Sequence, residues 1–387
     1  MNAVVLGACG SVGREVAAGL VDEPTFDRVT LVDLDLPRLR RLAHGLGGRM
    51  GLRRADASSP RALRAAIRNA GVVINCTTYH LGLEVLRGAI AESVDYVDLG
   101  GLYNTPRQLK MHQAARRAGV RAVIGCGATP GLSNVLVRRA ADRLDRIREV
   151  HISFASHRDM APSPGLLDTL LDEFRPGIPR YTFRAGRMRK VRPFEGVRRV
   201  RFAMPVGEQD VYYVPHSETY TLPRSLGPDV DEVSVRGTWR PADMDALATL
   251  ARLGLTSDRP VRVDGSLVRP VDLLRAVLLA DPPAEPEAPC AFFLDVEVRG
   301  SRGGKGAVVR QRTSHPVEWG SSATGRMTAI PAVVAAIMVA RGEVAGPGVV
   351  PPEAAFHAER FVRAVRRAGV RVATTVRPEH GAGRAQG

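Results

Sequence analysis

Lysine is nearly missing from this chain. It stands only at Lys110, Lys190 and Lys305, although the formal net charge is +15. The positive charge is therefore arginine, in a sequence also rich in alanine, glycine, valine and proline. That pattern reads as a compositional bias rather than a nucleic-acid patch. Arginines cluster over 184–201, but no nucleic-acid module accompanies them, so a solvated or inter-subunit face is expected and no nucleic-acid partner. Cysteine is scarce too. Cys9, Cys76, Cys126 and Cys290 are scattered, with no C-x-x-C. This excludes a disulfide framework and a zinc motif, and fits reduced thiols in a cytoplasmic setting. His80, His112, His151, His157 and His315 lack metal-like spacing, and no metal is expected. Long apolar runs are absent. The longest, 328–340, is interrupted by Pro331 and reads as a buried helix, not a membrane span. No basic, apolar leader opens the sequence, and no signal peptide is expected.

What is present begins at once. Ala3-Val4-Val5-Leu6 reads as a strand, Gly7, Gly10 and Gly13 as a turn, and 14–20 as a helix. A second strand, Val29-Thr30-Leu31-Val32, ends at Asp33, twenty positions after the turn. Strand, glycine turn, helix and distant acid make a dinucleotide site for physical reasons. Glycines let the backbone approach a pyrophosphate, the helix N-terminus offers free N–H groups to it, and the acid accepts from a ribose hydroxyl. The first glycine sits one residue earlier than in G-x-G-x-x-G, with Ala8 in its usual place. Asp33 favours NAD over NADP by repelling a 2′-phosphate, while Arg38 and Arg40 follow closely and offset that repulsion.

The chain's 387 residues suggest two domains. Further strands are expected at 51–54, 72–75, 96–98 and 122–124, alternating with helices at 36–46, 62–69, 83–93 and 106–118. This pattern predicts an α/β fold with a Rossmann-type parallel sheet of six strands. From residue 150 the texture becomes α+β, with strands near 150–155, 211–214, 230–235, 292–299 and 307–313. Late helices are expected at 328–341 and 352–367, an exposed proline-rich loop at 281–289, and a frayed tail at 381–387. The boundaries expected are 1–132 for dinucleotide binding, 133–327 for a second domain and 328–375 for helices packing back on the first.

In an open α/β sheet, ligands gather at the carboxyl ends of the strands. There lie Asp56, then Cys76-Thr77-Thr78, then Asp98-Leu99-Gly100-Gly101 with Tyr103, then the loop 125–131 with Pro130. Asp98 either orients a substrate amine or caps its own loop. In the second half, His216-Ser217-Glu218-Thr219 through Arg224 is dense in polar groups and reads as a loop. His216 suits proton transfer, Glu218 an ammonium and Arg224 a carboxylate. The alternative is that His216 and Glu218 merely tie that loop to the sheet.

Gly7-Ala8-x-Gly10-x-x-Gly13, Tyr96-Val97-Asp98-Leu99-Gly100-Gly101, 127–134, His216-Ser217-Glu218-Thr219 and Gly348-Val349-Val350-Pro351-Pro352-Glu353 occur in this order. Together they resemble the saccharopine dehydrogenase family over almost the whole chain, and within it most the lysine 6-dehydrogenase branch. Thr129, between Ala128 and Pro130, departs from that branch. The resemblance implies an NAD(P)-dependent oxidoreductase acting on the C–N bond of an amino acid or related amine. Oxidative deamination of a group such as the lysine side chain, the reverse imine reduction, and reductive condensation of an amine with a carbonyl compound all fit. It also implies a second domain for substrate and dimerisation, a C-terminal helix returning to the first domain, and a homodimer or higher homo-oligomer.

Cofactor contacts are thus expected from Gly7, Gly10, Ser11, Val12, Gly13, Asp33, Asp56, Cys76, Thr77 and Gly100. Substrate contacts are expected from Gly101, Tyr103, Pro130, Thr219 and Arg224, and chemistry from Asp98, His216 and Glu218. A short-chain dehydrogenase is the nearest rival enzyme. It needs Tyr-x-x-x-Lys, and Pro106, Gly186 and Ser301 stand four before the three lysines. A non-catalytic dinucleotide sensor or scaffold is the rival of another class.

Overall fold

The structure, a computed structural model, describes residues 1–47, 50–280 and 289–379. The expected loop at 281–289, apart from Pro289, and the tail at 381–387 lie outside the described residues. Two sheets organise the chain. The first is entirely parallel and contains β1 (Asn2–Leu6), β2 (Arg28–Asp33), β3 (Gly51–Arg54), β4 (Val72–Asn75), β5 (Asp95–Asp98) and β6 (Arg121–Val123), in the order β6-β5-β4-β1-β2-β3. All four residues of β4 are buried, as a strand covered on both faces requires. The helices between strands start and stop on local signals. Asp35 accepts from Arg38 N at 2.9 Å to cap the helix Leu36–Leu46, and Gly47 ends it at φ 67°. Ser59 caps the helix Pro60–Ile67. The expected helix at 106–118 is two shorter ones, Thr105–Leu109 and His112–Arg117.

The second sheet is mixed. Its strands are β7 (Arg146–His157), β8 (Tyr181–Arg184), β9 (Arg187–Lys190), β10 (Arg198–Arg201), β11 (Glu208–Tyr213), β12 (Glu232–Thr238), β15 (Ala291–Arg302), β16 (Lys305–Ser314) and β18 (Arg371–Pro378); β13 (Val261–Val263) and β14 (Ser266–Val268) form a separate hairpin. The order is β10-β11-β12-β7-β15-β16-β18, with β8 also on β12 and β9 on β8. The arginine-rich stretch falls on β8–β10 and the turns between them. Arg198, Arg199 and Arg201 pair there with Glu297, Asp210 and Glu208.

Two late segments return to the first sheet. The helix Ala323–Ala340 packs on the helix Gly13–Leu20, on β4 and β5, and on β15, so it touches both sheets. A side chain on Gly19 would meet Val333, whose Cγ2 lies 2.9 Å from a Cβ position there. This helix, with the turn before it, is long and apolar enough to cross a membrane, but two-thirds of it is buried inside the fold. Pro331 lies within it without ending it. Then β17 (Gly348–Val350) pairs in parallel with β6, making a seventh strand where six were expected.

Candidate active site

A cavity of about 520 Å³ runs from the carboxyl ends of β1, β2 and β4 to the second sheet. At its first end the site is main chain. Gly7 sits at φ 74°, and a Cβ there would lie 2.8 Å from Cys76 O. A Cβ on Gly13 would fall on the Gly7 carbonyl. Gly10, Ser11 and Val12 line the cavity, and no side chain caps the helix Gly13–Leu20 that follows. Arg14 N donates to Gly10 O at 3.1 Å, and the helix start otherwise carries no side-chain cap among the described residues to compete with an anion. Asp33 lines the same end. Its Oδ2 accepts from Cys9 N and its Oδ1 from Leu34 N, each at 2.8 Å, so the carboxylate is fixed in place. Arg38 lies beside it and donates to Cys9 O at 3.1 Å. Asp56, Cys76, Thr77 and Gly100 complete this end. Burial and the Asp98 charge push the Cys76 thiol up to about 12, which keeps it protonated and unreactive. The uncapped helix and the turn whose Gly7, Gly10 and Gly13 carry no Cβ fit a nicotinamide dinucleotide.

The second end is side chain. His216 is buried between two carboxylates: Nε2 lies 3.3 Å from Glu173 Oε1, and Nδ1 lies 3.6 Å from Glu218 Oε2. Its ring stacks on Phe154 with centroids 5.4 Å apart. Thr129 Oγ1 lies 3.3 Å from Nδ1 and donates to Glu218 Oε1 at 2.6 Å, and Ser133 Oγ donates to the same oxygen at 2.8 Å. Burial alone would lower the imidazole pKa, but hydrogen bonds to Glu173 and Glu218 and their charges outweigh it and raise it to about 9. His216 therefore holds a proton at neutral pH. Burial raises Glu173, while the bonds from His216 and Thr129 hold Glu218 down against its own burial. Glu173 Oε2 has no hydrogen-bond partner among the described residues. Phe154, Trp239 and Phe292 form aromatic walls.

Arg158 supplies a buried cation to this end. It donates to the carbonyls of Asp159, Met160 and Leu166, at 2.6, 3.1 and 3.0 Å, and no carboxylate of the described residues lies within 4.0 Å. Burial lowers its pKa to about 10, which still leaves it charged at neutral pH.

Several expected residues stand elsewhere. Asp98 does not line the cavity. Its Oδ1 accepts from Gly100 N at 3.0 Å and Gly125 N at 2.6 Å, and its Oδ2 from Tyr96 Oη at 2.8 Å and Gln108 Nε2 at 2.6 Å. The carboxylate is fully engaged in tying two glycine-rich loops to β5, which leaves no lone pair for an amine. Arg224 is exposed, because 218–226 is a helix (Glu218–Leu226) and not a loop. Thr219 is buried and donates to His216 O at 2.8 Å. Gly101 and Tyr103 lie outside the cavity lining, Glu218 reaches it only through His216 and Thr129, and Pro130 lines it. The sequence reading missed Glu173, Arg158 and Trp239. Glu173 had a signal: it follows Leu166 and Leu170 on the inward face of an apolar helix, Pro164–Phe174, where a charge needs a reason.

A dinucleotide turn facing a buried proton-holding cluster is the arrangement of a nicotinamide-dependent oxidoreductase. Residues 3–123 match the profile described as the saccharopine dehydrogenase NADP binding domain, and residues 177–370 the saccharopine dehydrogenase C-terminal domain. The chain belongs to the saccharopine dehydrogenase family. It is 25% identical over 250 residues to carboxynorspermidine synthase of Vibrio cholerae, a stretch covering 60% of this chain and 58% of that protein. It is 21% identical over 376 residues to carboxyaminopropylagmatine dehydrogenase of a Synechocystis species, covering 90% and 92%. Apo saccharopine dehydrogenase (L-Glu forming) from Saccharomyces cerevisiae shares the fold at a TM-score of 0.72 and 15% identity, covering 97% of this chain and 99% of that one. Homospermidine synthase from Legionella pneumophila, in complex with NAD, gives 0.64 at 14% identity, covering 100% and 93%.

Proposed function

We propose that this protein forms and reduces, or oxidises and cleaves, a C–N bond in an amine that also carries a carboxylate. The observation that carries this reading is the presence of Glu173, His216 and Arg158 in the cavity that holds the glycine turn. Glu173 has an acceptor to spare for an ammonium group. The aromatic wall of Trp239 and Phe292, with Phe154 stacked between His216 and Phe292, suits a cationic methylene chain. Arg158 takes the carboxylate role expected of Arg224: Glu173, Asp243 and Asp159 act on its charge from a distance, but no carboxylate of the described residues is within 4.0 Å, so a direct carboxylate contact is still to be gained. His216 holds a proton for the substrate nitrogen in the reductive direction and accepts it in reverse. The aromatic walls exclude water from that nitrogen. The bound nicotinamide supplies or accepts the hydride.

Carboxynorspermidine synthase and carboxyaminopropylagmatine dehydrogenase are named for carboxylated polyamine-like compounds. Reductive condensation of an amine with a carbonyl compound is accordingly our first reading. Deamination of the lysine 6-dehydrogenase type is the second, favoured by Asp98-Leu99-Gly100-Gly101. We infer NAD as the preferred cofactor from the fixed Asp33 carboxylate; NADPH used as well as NADH overturns that preference. We also infer a homodimer or larger oligomer from the exposed Leu253, Leu267, Leu273 and Val277, which light scattering checks.

The deciding experiment offers NADH or NADPH with paired amines and carboxylated aldehydes, and NAD with lysine alone, following reduced-nicotinamide absorbance. Consumption only with both partners present supports condensation. Reduction of NAD with lysine alone supports deamination. Cofactor binding without turnover across the panel overturns the enzymatic reading in favour of a sensor.

A further inference from the structure

Glu353 is a buried acid that the chemistry above leaves unused. It opens the short helix Pro352–Ala355 directly after β17, so the strand that completes the first sheet delivers it. Its Oε2 accepts from Asn134 Nδ2 at 2.8 Å and its Oε1 from Ser225 Oγ at 3.2 Å. Asn134 Nδ2 also reaches Thr221 Oγ1 at 3.3 Å, and Asn134 Oδ1 accepts from Gly131 N at 2.9 Å. The carboxylate thus joins two helices. One is Leu132–Ala141, whose leading turn carries Thr129-Pro130-Gly131. The other is Glu218–Leu226, preceded directly by His216 and Ser217. The bonds from Thr129 and Ser133 to Glu218 cross this same junction.

We propose that Glu353 is a positioning residue: it bolts these two helices together, and so sets Thr129 and Ser133 against Glu218 and Glu218 against His216. The claim rests on His216 being the proton-handling group of the proposed reaction. Its physical basis is local. Removing the carboxylate takes from the Asn134 amide the nearer of its two buried acceptors, leaving Thr221 Oγ1, and leaves the Ser225 hydroxyl only Thr221 O on its own helix, at 3.0 Å. Asn134 is also the residue that pins Gly131. A loosened Asn134 therefore passes straight to the Thr129 turn. Burial raises Glu353 to about 6, against the bonds from Thr221, Asn134 and Ser225 that lower it.

The test follows His216 directly, by NMR titration of histidine-labelled protein, with kcat and KM measured on whichever substrate the amine screen finds. Glu173 and Glu218 are the two carboxylates facing His216, and their contacts raise its pKa. Glu353→Ala should slacken the Glu218 contact and lower the His216 pKa by about one unit. It should lower kcat about tenfold, with KM and cofactor affinity little changed. Glu353→Gln keeps an acceptor for Asn134 and a polar partner for the hydroxyls, so it should recover most of both. Ser225→Ala should shift both in the same direction by less. The proposal is overturned if Glu353→Ala leaves His216's titration unmoved, whatever it does to the melting temperature. It is equally overturned if Glu353→Gln is as harmful as Glu353→Ala, because charge rather than placement would then be responsible. Should Glu353→Ala fail to fold, an unshifted His216 in Ser225→Ala sinks it. If no amine is turned over, the functional reading fails, yet the titration still decides whether Glu353 sets His216.

Discussion

The two ends of the cavity are made of different material. The dinucleotide end is main chain: a turn with no room for a Cβ at Gly7 or Gly13, an uncapped helix start, and one carboxylate that is itself held by two backbone N–H groups. The substrate end is side chain. Thr129, Glu173, His216 with Glu218, and Trp239 come from four separate stretches, most are buried, and several satisfy one another. A main-chain site is set by local geometry and fails when a Cβ intrudes. A side-chain network fails by degrees, because each replacement shifts its neighbours.

The largest effect tests the first half of that contrast. Gly10→Val should abolish dinucleotide binding in a chain that still folds, since Gly10 faces the cavity and only Gly7 O, at 3.3 Å, lies near its Cβ position. Normal affinity by calorimetry would show that the turn is merely structural. Next, His216→Ala should lower kcat by roughly 10²–10⁴ while sparing cofactor affinity. An unchanged pH profile in that variant would remove His216 from proton transfer. Arg158→Met should raise KM roughly tenfold to a hundredfold for a carboxylated substrate and much less for its decarboxylated analogue. Equal losses on both would reduce Arg158 to a tie for the 158–166 loop.

A smaller effect is on stability. The folded-state pKa of His216, about 9, exceeds the ordinary 6.5. The protonated form is the one the fold favours. Its contribution should be fully present below about pH 6.5 and lost as pH rises through about 9. The melting temperature of the native chain should therefore fall more steeply over that range than that of His216→Ala. The smallest effect is expected for Arg224→Ala, which is exposed outside the cavity and should change kcat/KM by less than about twofold. A tenfold loss there would mean that the site extends across the helix Glu218–Leu226.

The same contrast explains what the sequence revealed. The glycine turn and Asp33 are close in sequence because their job is local, so their spacing could be read. His216 and Glu218 stand out as polar residues in a row, and by composition the row reads as a loop. It is a helix from Glu218, and six residues on, Arg224 has rotated to the far side, while Thr221 and Leu222 face inward. Asp98 was correctly placed at a strand end, but the four donors that surround it come from residues 96, 100, 108 and 125. Glu173 meets His216 across 43 positions. Strand β17 is three residues long, and nothing in Gly348-Val349-Val350 says which sheet it joins.

That strand has a consequence for how the chain comes into being. During synthesis, residues 1–123 emerge with all the strands of the first sheet but one. The edge of β6 then waits for more than two hundred further residues before its partner arrives. The helix that covers β4 and β5 arrives equally late. Until then the nascent chain carries an open parallel edge and an uncovered apolar face, both of which invite pairing with other chains. Closing the sheet is a long-range event, slow by topology. The dinucleotide-binding region is thus among the last parts to reach its final form, because its assembly waits for a strand and a helix translated about two hundred residues after it.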